Sequence, residues 1–406
     1  MKSNLCRMLL SVFAVAALLR FALSAEPQSA QTGTPPTASN FNTIIGTQAI
    51  GGLYQFTGDT RLVESAKLVR SLGSNIMKFS LSDGGNSFGK EKGNVPEKNP
   101  DIHTLVDLVT KEPSHKAVLD MPFSHFLLWV YPLTCTSQAN TFQPEDHKKQ
   151  YREMYDFACH LLSTYSGSGK HFYLGHWEGD WHLRPHFDPK QPFPDGAAER
   201  FTQWLNIRQK AVDDAKRDTP HHGVWLWHYT EVNLVEPFLK GGQCLTNDIL
   251  PNVDVDYVSY SCYDAIQHDI HAGLFEALDH IESKLRPKPG IQGKRVFVGE
   301  YGYPARRYTA DVQSQKTLET MRAGIEWGCP FVLYWELYCN ERKDGQLGGF
   351  WLIDDQNVKQ PVWFAHQRYL AWANQHVTEV IQQTGMPPSD AEFRQAASIY
   401  LRDAAH

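Results

Sequence analysis

The sequence predicts an α/β fold: a single (β/α)8 TIM barrel with long loops after its strands and a helical extension at the carboxyl end. Three observations carry this. Short apolar, β-branched or aromatic runs alternate with longer segments of helical period, the pattern of repeated βα units around a parallel sheet, and about eight such units can be counted. Segments following several strands are long and rich in Pro or Gly, whereas those returning from helix to strand are mostly short, which gives the barrel one elaborated face. The 406 residues, 42% hydrophobic and 12% aromatic, suffice for one large core, and α/β barrels run to such lengths as one unit.

In chain order the strand candidates are "TIIGTQAI" near Ile45, "SNIMKFSL" near Met77, "KAVLDMPF" near Leu119, "HFYLGHWE" near Tyr173, "GVWLWHY" near Leu226, "VDYVSYSCY" near Val258, "RVFVGEYG" near Val298 and "FVLYWELY" near Leu333. Amphipathic helices fall between them. "DTRLVESAKLVRSLG" has Asp59 or Thr60 as its cap and Gly73 as its stop, and "ADVQSQKTLETMRAGIEWG" ends before Gly328. Long loops follow the strands near Leu119, Tyr173 and Leu333. Function in this architecture is built at the C-terminal face, among those loops. After the last barrel helix, "PVWFAHQRYLAWANQH", the tail adds one more helical segment and no second catalytic domain.

The amino terminus has basic Lys2 and Arg7, an apolar stretch from Met8 to Leu19, and small residues near Ser24 and Ala25, which reads as a signal peptide over residues 1–25. A retained anchor is the alternative, against which stand the short apolar run and Arg20 within its flank. Residues 26–42, rich in Pro, Thr and Ser, read as a flexible lead-in, and residues 43–406 as the barrel with its helical tail. The expected location is therefore secreted or periplasmic, with no membrane association of the mature form. Cys135, Cys159, Cys244, Cys262, Cys329 and Cys339 form an even set that an oxidising compartment could pair, in a connectivity the sequence does not give. A formal net charge of −6 without a long basic run gives no footprint for nucleic acid. Nothing in the sequence sets an oligomeric state.

Two carboxylates end barrel strands on the elaborated face: Glu178 in "YLGHWEGDWHL" after the fourth strand, and Glu300 in "VFVGEYGYP" after the seventh. Such a pair suits cleavage of a glycosidic bond, where one carboxyl protonates the leaving oxygen and another attacks, or activates water at, the anomeric carbon. With these two motifs the chain resembles the clan-A glycoside hydrolases, retaining (β/α)8 enzymes with an acid/base glutamate after strand four and a nucleophilic glutamate after strand seven. The resemblance spans about Thr43 to about His376. It implies Glu178 as acid/base and Glu300 as nucleophile. It also implies Tyr263, in "SYSCYD", as a hydrogen-bond partner of the nucleophile, Trp335, in "LYWELY", as the floor under the sugar, and His228 as a strand-five residue lining the cleft. Where the clan usually has Asn before the acid/base, this chain has Trp177, so that the contact to the sugar's 2-hydroxyl falls to His176 or another residue.

Trp177, Trp181 and Trp335 have flat faces suited to the apolar face of a pyranose, as do Trp129, Trp227 and Trp351, although core packing accounts for any one of them equally. Asp180 stands two residues from Glu178 and could take its place; Glu336 follows Trp335 and could bind a sugar hydroxyl or form a buried ion pair. Glu231 is another strand-end acid. His125, His176 and His182 could reach the cleft or serve as hydrogen-bonded scaffold. The expected activity is thus a metal- and cofactor-free retaining glycosidase acting on a carbohydrate substrate. Two rival readings remain: a metal-dependent sugar isomerase or epimerase, using Glu178, Glu231, Glu300 and neighbouring histidines, and a catalytically inactive carbohydrate-binding barrel.

Overall fold

The computed structural model describes residues 39–81, 99–135 and 139–405. The proposed signal peptide and nearly all of the lead-in lie outside them. Eight strands, β1 (Ile45–Thr47), β2 (Ile76–Ser80), β3 (His125–Trp129), β4 (Lys170–Gly175), β5 (Val224–Val232), β6 (Tyr257–Ser261), β7 (Val296–Tyr301) and β8 (Val332–Tyr334), form one sheet in the order β1-β8-β7-β6-β5-β4-β3-β2. All neighbours pair in parallel. A parallel bridge between Gln48 and Lys78 joins β1 to β2 and closes the ring. The predicted barrel is observed.

The helices begin and end where their capping chemistry allows. The helix Arg61–Ser71 starts after Thr60, and Gly73 follows it at φ 98°, a left-handed conformation that lets the chain turn back. Ala310–Trp327 starts at Thr309, whose hydroxyl accepts from the Val312 amide, and stops at Gly328, φ 105°. At the carboxyl end Pro361–Thr384 completes the barrel. Asp390–Ala404, with a Ser389/Glu392 capping box, then packs Phe393, Ala397 and Leu401 into the core.

One element departs from expectation. "KAVLDMPF" is not the third strand: Pro113–Asp120 is helical, because Glu112 accepts from the Ser114 and His115 amides and Pro113 occupies the first turn, where a missing N–H costs nothing. The third strand is "HFLLW", His125–Trp129, buried along its whole length. No disulfide joins the six cysteines from Cys135 to Cys339 among the described residues.

Alternation along the strands divides two cores. Met77, Phe79, Phe126, Leu128, Leu226 and Val258 face outward under the helices, while Ile76, Leu127, Tyr173, Tyr229, Phe297, Phe331 and Leu333 fill the lumen. Gly175 is required by this filling: a Cβ there would stand 2.1 Å from the Tyr229 ring.

Candidate active site

Above the apolar filling, the lumen becomes charged. On β2, Ile76 and Lys78 point inward while Met77 and Phe79 point outward, so a fully buried lysine enters the barrel. Its ammonium donates to Glu231 Oε2 at 3.1 Å, to the Gly299 carbonyl at 3.0 Å and to Glu300 Oε1 at 3.5 Å. All three ammonium protons thereby find acceptors. The Trp129 ring lies 4.8 Å away.

Glu231 follows from the same alternation on β5, where Trp227, Tyr229 and Glu231 share the inner face. It accepts from Lys78, from Ser259 Oγ at 2.7 Å and from the Glu178 backbone N–H at 3.1 Å. Gly299 makes room for it: a Cβ there would stand 1.7 Å from Ser259 Oγ and 3.3 Å from Glu231 Oε2. Glu300 is the next residue, and register shifts in both ladders of β7, at Tyr260/Ser261 and between Val298 and Tyr301, bracket it. Such irregularities re-aim a side chain. Its second oxygen accepts from Tyr263 Oη at 3.4 Å.

Glu178, past the end of β4, opens the helical turn Gly179–His182. Burial, reinforced by the Glu231 carboxylate, pushes its carboxyl up to about 8. For Glu300, burial likewise pushes the carboxyl up; Lys78 pulls it back, and Glu231 and Glu178 push in the same direction as burial. Three carboxylates with one lysine in a dry site cannot all be anionic at neutral pH.

Both Glu178 and Glu300 line one cleft of about 530 Å3, with Trp177, Trp181, Trp335, Tyr263 and Phe350 as its aromatic walls and Asn233, Gln267, Asn340 and Glu341 as polar ones. A second hollow of about 510 Å3 shares Tyr263, Gln267, Glu341 and Phe350 and continues toward Tyr303, Arg306 and Tyr308. Among the expected ligand-contacting residues, Trp177, Trp181, Tyr263 and Trp335 are therefore at the cleft.

Three others stand behind it. His228 falls on the outer face of β5, opposite to Glu231, and contacts Arg208 Nε at 3.3 Å and Gln209 Oε1 at 3.2 Å on the helix Ala197–Asp218. Asp180 is fully buried and accepts from the Asn233 and Leu245 amides, at 3.2 and 2.8 Å, stapling three loops. Glu336 is fully buried and accepts from the Ile50 amide at 3.0 Å. Burial pushes its carboxyl well above the usual range.

The histidines are scaffold. His176, fully buried, has its Nδ1 2.8 Å from the Trp177 carbonyl and its Nε2 2.7 Å from Thr230 Oγ1, which leaves neither nitrogen for a sugar. His182 packs against Trp177 with ring centroids 5.7 Å apart. His125 starts β3 at the opposite end of the barrel and stacks on His171 at 4.8 Å. Of the other tryptophans, Trp129 is buried against Trp335, Trp227 packs on Tyr257, and Trp351 is partly exposed outside the cleft wall.

Sequence reasoning passed over Lys78 and gave Glu231 no definite role. The signal for Lys78 was a lone charge inside an otherwise apolar strand; for Glu231 it was the period-two series Trp227, Tyr229, Glu231.

No protein-family profile matches the chain, and no curated protein does. Solved structures do resemble it. A GH5_18 enzyme from Streptomyces cattleya, in complex with Manb1-4GlcNAc, aligns over 89% of this chain and 91% of its own at 13% identity, TM-score 0.53. The GH39 enzyme from Xanthomonas axonopodis pv. citri aligns over 85% of this chain and 68% of its own at 12% identity, TM-score 0.53. A GH5_18 from Bifidobacterium longum subsp. infantis aligns over 81% and 78% at 10% identity, again 0.53. The chain shares its (β/α)8 fold with these glycoside hydrolases.

Proposed function

We propose that the protein is a secreted glycoside hydrolase that cleaves O-glycosidic bonds of an oligo- or polysaccharide by a retaining double displacement, with Glu178 as acid/base and Glu300 as nucleophile. The observation that carries this reading is the pair itself: two carboxyls from the ends of β4 and β7 lining one aromatic-walled cleft. Lys78 and Tyr263 donate to Glu300, which favours its anionic, nucleophilic form, while the site's proton stays on Glu178, whose surroundings disfavour charge. Glu178 then protonates the leaving oxygen as Glu300 attacks the anomeric carbon, and afterwards takes a proton from the water that releases the sugar. A retaining reaction needs the two carboxyl groups roughly 5 to 5.5 Å apart.

Asn233 and Asn340 line the cleft and supply amide groups for sugar hydroxyls, a role for which Trp177 has no hydrogen-bonding group of the kind an asparagine there would bring. Lys78 lies between Glu231 and Glu300, the place a divalent ion shared by these carboxylates would need in an isomerase, and this favours hydrolysis. Export rests on the amino-terminal sequence, and residue Glu26 as the first residue of the secreted protein is its test.

The enzymatic test is a screen of aryl β-glycosides, β-mannosides first, since the similar structures include an exo-β-1,4-mannosidase. Glu178→Gln should retain its first step on an activated aryl β-glycoside and be rescued by azide as the β-glycosyl azide. For Glu300→Gln any azide product should be inverted. Near-native turnover by both variants would overturn the assignment.

A further inference from the structure

The carboxylate that the two-residue mechanism leaves idle is the best connected of the three. Glu231 touches each part of the site: Oε1 accepts the backbone N–H of Glu178 at 3.1 Å, and Oε2 accepts both Ser259 and Lys78, the same lysine that reaches Glu300. It is fully buried, on the rigid end of β5 rather than on a loop, and Gly299 is kept free of a side chain beside it. Every contact donates to it, the arrangement that a carboxylate anion accepts. So expensive a group, buried out of reach of the cleft's lining, is unexplained by packing.

Resting on the reading of Glu178 as acid/base and Glu300 as nucleophile, we propose that Glu231 is a positioning residue that assigns the two roles. Its backbone bond fixes the turn that presents Glu178. Its negative charge, sharing Lys78 with Glu300, leaves Glu178 as the carboxyl of the three with no ion pair among the described residues, and so keeps the site's proton there. The titratable groups that act on this proton are Lys78 from β2, Glu231 from β5, Tyr263 after β6 and Glu300 from β7; around them stand Tyr131 from the segment after β3, Asp264 after β6, Glu336 and Glu341 after β8, and Asp180 and His182 in its own turn. Among these Lys78 is the one cation, and it is bonded to the other two carboxylates.

The test is the pH dependence of Glu231→Gln beside Glu231→Asp. Glutamine keeps the shape and removes the charge, so Glu178 releases its proton at lower pH: the basic limb of kcat/KM should move toward acid by about one unit, a deficit of about fivefold at pH 8 that approaches tenfold at higher pH and largely disappears near pH 5. Aspartate keeps the charge and should keep the limb where it is, with turnover reduced evenly. A purely structural Glu231 would lower turnover equally at all pH values, and an unmoved basic limb in Glu231→Gln would overturn the proposal. If that variant does not fold, Lys78→Gln tests the same circuit with the opposite sign: both limbs should move toward higher pH, and a shift toward acid overturns it. Infrared titration of the Glu178 carboxyl, assigned by its loss in Glu178→Gln, reads the proton without turnover. An inactive protein whose Glu178 titration still moves with Glu231 would sink the hydrolase reading and leave standing only the control of the Glu178 proton by Glu231.

Discussion

The two ends of one lumen are built from the same eight strands and could hardly differ more. At the lower end His125, His171 and Trp225 form a stack, with centroids 4.8 and 4.2 Å apart, and Tyr173, Phe297 and Phe331 pack edge to face beside it. Its titratable groups are neutral: burial holds His171 down to about 4 and His125 well below its usual range. At the upper end the same inward positions hold Lys78, Glu231 and Ser259, with Glu178 and Glu300 above them. A barrel needs only the first kind of filling to be stable. The second costs desolvation, which Lys78 only partly offsets, and a cost concentrated at the C-terminal mouth marks chemistry rather than architecture.

The sharpest way to break this contrast is to neutralise one charge at the top. Glu300→Gln should lower kcat/KM by about 10^4-fold or more, the scale on which removal of a covalent nucleophile acts. The midpoint of thermal unfolding should stay level or rise, because a buried carboxyl has been replaced by an uncharged group of the same shape. A fall in stability comparable to a core truncation would show that the upper layer is structural.

Next comes the converse. Phe331→Ala at the lower end removes a fully buried ring that touches Tyr173, Phe297 and His125, and should cost about 3 to 5 kcal/mol in urea unfolding. The pH profile of whatever activity remains should be that of the unaltered protein. Displaced limbs would mean that the two layers are coupled.

The same two layers show what the sequence could and could not reveal. Glu178 and Glu300 were legible because each follows an apolar strand onto the loop face. His228 was misread because the strand was taken as a run rather than as two faces: alternation puts Trp227, Tyr229 and Glu231 inside and His228 outside, against Arg208. The third strand was lost to "KAVLDMPF", whose composition suits a strand but whose Glu112–Pro113 start suits a helix. Lys78 was passed over, because its inward position shows only when β2 is read as two faces. The remaining wall of the cleft, Asn233, Asn340, Glu341 and Phe350, comes from loops, where no periodicity records which way a side chain faces.

The smallest effect tests whether the upper layer is under electrostatic load even without substrate. Glu178 titrates near 4.5 when unfolded and at about 8 in the folded protein. Between those values the native state holds a proton that the unfolded chain has released, so stability falls as pH rises through that window and levels off above about 8. Below about 4.5 both states are protonated and the group contributes no difference. The limiting slope for one such group is about 1.4 kcal/mol per pH unit, and sharing of the proton between Glu178 and Glu300 reduces what any one substitution recovers. Glu178→Gln removes this titration. Its unfolding midpoint should therefore exceed that of the unaltered protein by a margin that grows from pH 5 to pH 8, reaching about 2 °C or more at the upper value. A margin independent of pH would mean that Glu178 is not the carboxyl that carries the proton, and a margin that shrinks as pH rises would mean that the folded protein holds Glu178 as an anion.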